Sequence, residues 1–151
     1  MHALVRLYLR TAFAFLALGL MGGLWLEYRL TVGGVISQGM IVAHVHVLLV
    51  GFLLMMILGT AFWLFPRAGR GQPVGPHPFA VGLAYGLLTA GTVVRGVAEF
   101  FDLELSAPVW RYVALAASSV QAAGVLIGIV ALWSRVRGAA APKLAPPNPP
   151  E

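Results

Sequence analysis

Residues 40–65 read MIVAHVHVLLVGFLLMMILGTAFWLF. The run holds no Asp, Glu, Lys or Arg, and Pro66-Arg67 closes it. A helix of ~20 residues crosses a hydrocarbon layer ~30 Å thick, so this stretch predicts a transmembrane helix.

The same reading extends in both directions. Apolar segments recur at about 8–26, 79–100 and 109–133, which makes four spans within residues 1–137. The chain of 151 residues is 60% apolar and only 10% charged, whereas soluble domains carry roughly 25% charged residues. The fold class expected is an all-α membrane protein with four transmembrane helices. Arg6 and Arg10 ahead of the first apolar run also suit a signal peptide. No small-x-small cleavage site follows cleanly and three more spans come after, so an uncleaved anchor is expected. Residues 67–78 carry Gly69, Gly71, Pro73, Gly75, Pro76 and Pro78 and predict a turn-rich loop. Shorter loops are expected at Glu27–Gly39 and around Asp102 and Glu104, and an Ala/Pro-rich disordered tail at 138–151.

The net charge of +5 does not describe a nucleic-acid patch, because the basic residues sit at segment ends. Arg6, Arg10, Arg67, Arg70, Arg135, Arg137 and Lys143 fall on one side of the predicted spans. Glu27, Arg29, Asp102, Glu104 and Arg111 fall on the other, with Glu99 close to it. By the positive-inside rule both termini are expected in the cytoplasm. Nine arginines beside one lysine, with abundant Ala, Gly and Pro, suggest a prokaryotic inner-membrane protein. Gly82 with Gly86, and Gly124 with Gly128, form two GxxxG pairs that favour close helix packing, expected within the chain.

Cysteine is absent, which excludes disulfides, thiolate metal sites and covalent haem attachment. Polar residues inside a span are costly and need partners, and three stand out: His44, His46 and Arg95. At 100° per residue the two histidines lie about 200° apart on a helix. They cannot hold one ion together, and they face two different neighbourhoods. Gly51, seven residues beyond His44, leaves a flat gap that a porphyrin could fill. Each histidine could instead simply hydrogen-bond a neighbouring helix.

Arg95 lies on the third span at the depth of the histidines, and Glu99 stands one turn away as an intrahelical partner. The alternative partner is a haem propionate, held in bidentate fashion. Arg111 and Trp110, at the start of the fourth span, are candidates for a second propionate.

The stretch from Ala43 through His44, His46 and Gly51 to Phe52, then Met55-Met56-Ile57-Leu58-Gly59 and Leu64-Phe65-Pro66-Arg67, carries a resemblance. It resembles the H-x-H helix of haem–copper oxidase and nitric oxide reductase catalytic subunits, and is closest to short subunit-I-like proteins. The resemblance implies that His44 is the high-spin-type haem ligand and His46 the low-spin-type ligand. It also implies that Arg95 and Arg111 suit propionates on the outer side. It departs from that family in length, since the large subunits have about twelve spans. The only other histidines, His2 and His77, lie outside the spans, so a single chain lacks the three further histidines of the copper site. Four spans make one arc of the family's pseudo-threefold plan, so a homotrimer could restore twelve.

Three readings follow. One is a non-covalent b-type haem protein that transfers electrons from a respiratory donor or binds O₂ or NO. Another is a non-catalytic accessory or assembly subunit of a respiratory oxidase or reductase. The third is a copper(I) protein using His44, His46 and Met40.

Overall fold

The computed structural model describes residues 3–65, 78–105 and 109–133, and of residues 101–105 the backbone. The sequence expectations for His2, His77, the 138–151 tail, and the basic residues at 67, 70, 135, 137 and 143 lie outside the described residues. Four helices make up the described chain: α1 (Ala3–Thr31), α2 (Gln38–Leu64), α3 (Pro78–Leu105) and α4 (Val109–Trp133). Each is long and apolar enough to span a bilayer, the architecture of a multi-pass membrane protein.

The connection between α1 and α2 is shorter than the sequence suggests. α1 carries Glu27 and Arg29 within the helix and runs to Thr31. Gly33 then takes φ 73°, and Gly34 N–H donates to the Arg29 carbonyl at 2.7 Å. A left-handed residue just past a helix end is the usual stop signal, and glycine adopts it without strain. Ser37 opens α2 by accepting from Met40 N–H at 3.0 Å. The loop expected at Asp102 and Glu104 is likewise helical, because α3 continues to Leu105. Glu and Leu are good helix formers, and a charge near a helix end does not interrupt the backbone ladder.

α2 is not uniform. It is α-helical over Gln38–His46, π-helical over Val47–Leu54, and α-helical again over Met55–Leu64. The wide segment begins immediately after the histidine pair.

α1 packs on α2, α2 on α3 and α3 on α4, so the helices follow an arc. At one end α1, α2 and α3 meet tightly. Tyr8 is fully buried and donates to the Val81 carbonyl at 3.0 Å, and Thr11 and Tyr85 share a 2.8 Å hydrogen bond. The Tyr8 ring packs on Phe62 and edge-on to Tyr85. α3 and α4 form a close hairpin, in which Gln121 donates to Thr92 Oγ1 at 3.0 Å and Thr92 donates to the Leu88 carbonyl.

The two GxxxG pairs differ. Gly124 abuts Leu87 and Leu88 of α3, and Gly128 approaches Leu58 of α2, as expected of intrachain packing. Gly86 is exposed with no atom within 4 Å of its would-be Cβ, and Gly82 meets only Leu4 at 4.0 Å. Among the described residues the α3 pair therefore makes no close intrachain packing beyond the loose approach of Leu4 to Gly82.

Candidate functional site

The α-helical start of α2 carries both histidines, and the 100° step turns them to different helices. His44 faces α1. A Cβ placed on Gly23 would lie 3.0 Å from His44 Cε1, and one on Gly22 would lie 3.7 Å from Nδ1. Two glycines on one wall thus leave room for the imidazole. His44 Nδ1 is buried without a hydrogen-bond partner. A buried polar nitrogen left unpaired costs about 1–3 kcal/mol, so such an atom points to a missing partner.

Beside it lies an apolar cleft of about 310 Å³ between α1, α2 and α3, open along one side. His44 and Met40 supply the α2 wall, Gly22 and Trp25 the α1 wall, and Gly96 and Phe100 the α3 wall. The rings of Trp25 and Phe100 meet at 5.7 Å between centroids. Apolar pockets with a few polar groups are the usual form of a small-molecule site, from ~300 Å³ upward.

His46 faces α3 instead. Its Nδ1 hydrogen-bonds the Val42 carbonyl at 3.0 Å and lies 3.6 Å from Glu99 Oε2. The second distance is too long for a hydrogen bond, so the carbonyl holds the ring and the carboxylate stands beside it. Both neighbours are acceptors. In the neutral imidazole the proton therefore sits on Nδ1, and Nε2 keeps the lone pair that a metal needs.

Arg95 Nε donates to Glu99 Oε1 at 2.7 Å, the i, i+4 pairing. The pair is half-buried, with Arg95 at 21% and Glu99 at 11% side-chain exposure. Glu99 thus stands between Arg95 of its own helix and His46 of α2. Gly39 is needed at this point, because a Cβ there would strike the Glu99 carbonyl oxygen.

The other sequence candidates fall elsewhere. Gly51 does not line the cleft; its missing side chain makes room for Phe15, whose Cγ would lie 2.7 Å from a Cβ at that position. The sequence gap at Gly51 is filled by α1. Arg111 is exposed and Trp110 half-buried at the start of α4, and neither lines the cleft. His44, His46 and Met40 do not converge, because His46 turns to Glu99 while His44 and Met40 share the cleft. Among the described residues no group of three or more His, Cys, Asp or Glu is positioned to hold a metal ion.

Sequence reading passed over Trp25, Arg29 and the Gly22–Gly23 pair. Its one available signal was the cluster Gly19, Gly22 and Gly23, which stacks on one face of α1. Comparisons with family models, with curated proteins and with solved structures return no match.

Proposed function

We propose that the chain is a non-covalent b-type haem-binding membrane protein related to oxidase subunit I, serving electron transfer or the binding of O₂ or NO. The observation that supports this reading is the unpaired, buried Nδ1 of His44 at the wall of an apolar cleft with aromatic sides. The donor set fits the group: a porphyrin needs one imidazole ligand, apolar contact for its faces and exclusion of water. His44 would supply the ligand, and Trp25, Val97 and Phe100 the apolar contact. Bound haem would contribute a one-electron centre or a gas-binding iron. The chain's own part is to orient the imidazole against Gly22 and Gly23 and to keep the cleft dry.

His46 enters this reading as a second ligand, its Nε2 lone pair preserved by Val42 and Glu99. The histidines face different helices, so each would serve a separate group. A homotrimer supplies the further spans and histidines that one chain lacks, and an electron donor of the respiratory chain is its expected partner. The arginine distribution supports cytoplasmic termini in a prokaryotic inner membrane. Because Met40 and His44 share one wall, copper(I) is the second reading.

An absorption spectrum of the purified protein tests the proposal. A Soret band lost in His44→Ala is expected, and a colourless protein that takes up no added haem would overturn it. Copper found by elemental analysis in the absence of haem would favour the second reading.

A further inference from the structure

Arg29 is the cation nearest the cleft on α1, one turn beyond Trp25. Its guanidinium carbon lies 5.3 Å from the Trp25 ring centroid, and Trp25 itself lines the cleft. Nη2 donates to the Val35 carbonyl at 2.9 Å, which fixes the side chain against the loop that follows α1. Nε is buried and makes no hydrogen bond. A guanidinium has five N–H donors, and one is used here. Among the described residues no carboxylate forms an ion pair with Arg29. Gly34 keeps the arginine in place, since a Cβ there would lie 2.6 Å from Nε.

Arg95 is different. Glu99 already answers its charge at 2.7 Å, so an incoming anion would have to compete with a carboxylate one turn away. Of the two, Arg29 is the better anion site, and it shares an aromatic residue with the cleft.

The geometry points to Arg29 as the anion-binding residue for an amphipathic ligand whose apolar body enters the His44 cleft and whose carboxylate or phosphate stays at the mouth. This deepens the haem proposal and rests on it for one ligand source, a propionate. The other source of the same chemistry is the headgroup of an anionic lipid with a chain in the cleft.

The test titrates purified protein in a neutral detergent with haem and with haem dimethyl ester, in which both carboxylates are blocked. Wild type is expected to bind haem about tenfold more tightly than the diester, the effect of one charge-assisted contact. Arg29→Gln should bind both alike, Arg29→Lys should restore part of the preference, and Arg95→Gln and Arg111→Gln should keep it. Because the diester alters the ligand, the wild-type comparison does not depend on a variant folding. A second arm follows retention of phosphatidylglycerol by native mass spectrometry. Lipid kept by wild type and lost from Arg29→Gln, with haem and diester bound alike, assigns the anion to a headgroup and upholds Arg29. A haem preference and lipid retention both unchanged in Arg29→Gln overturn the inference. Absence of a Soret band in every titration overturns the haem proposal alone, and the lipid arm then decides Arg29.

Discussion

The contact between α1 and α2 is built from the same parts at its two ends, with the roles exchanged. At the Tyr8 end α2 contributes glycines and α1 the large side chains: Phe15 covers Gly51 and Tyr8 covers Gly59. At the histidine end α1 contributes the glycines, with Gly19 beneath Leu48 and Gly22 and Gly23 beneath His44. The outcome differs because the third helix behaves differently. Near Tyr8, α3 closes the space through Val81 and Tyr85. Near His44 the three helices leave a cleft. Close packing holds a membrane bundle together where no hydrophobic drive exists between helices. Stability should therefore concentrate at the Tyr8 end, and ligand binding at the histidine end.

The harshest way to break this contrast is Tyr8→Ala, which empties a site that is fully buried. Loss of a buried aromatic costs about 3–5 kcal/mol, read by reversible unfolding in mixed micelles, and the cleft variants should show nothing comparable. Gly51→Leu should come next, at about 1–3 kcal/mol of overpacking against Phe15, with haem uptake by the folded fraction retained. Glu99→Ala removes the partner of a half-buried arginine and should cost about 1–2 kcal/mol by the same measurement. It should also remove the carboxylate beside His46, seen as a shift of its imidazole NMR signals, while the Val42 carbonyl keeps the ring in place. The mildest change is Gly22→Ala, whose Cβ would meet His44 Nδ1 at an ordinary 3.7 Å. Its effect on unfolding should stay within about 0.5 kcal/mol. If it instead unfolds the protein as readily as Gly51→Leu, the two ends are energetically alike and the contrast fails.

The spans were legible because hydropathy and length alone decide them, and the opposed histidines because α2 is α-helical through His46. The Arg95–Glu99 pair was legible for the same reason: both residues lie on one helix, so spacing suffices. Gly51 shows where that logic stops. A glycine announces a gap, but what fills it depends on which helix stands opposite, and Phe15 lies 36 residues earlier in the chain. Trp25 and Arg29 were missed for a related reason. They matter only once α1 is placed against the His44 face, which no local pattern specifies.

The π segment of α2 has a consequence for how the helix is numbered around its axis. Bonds from Val47 to Leu54 reach five residues back instead of four, so each step there turns through less than the usual 100°. The halves on either side run at one period but out of phase. A helical wheel drawn at 100° per residue through the whole of α2 therefore misplaces the residues after Leu54 by the turn that the π segment does not make. His44, Gly51, Gly59 and Phe62 nonetheless all rest on α1, against Gly23, Phe15 and Tyr8. A π segment takes up an extra residue in nearly the turn of an α segment one residue shorter, so deleting one residue between Val47 and Leu54 should leave His44 facing α1, His46 facing α3 and the Tyr8 end in register.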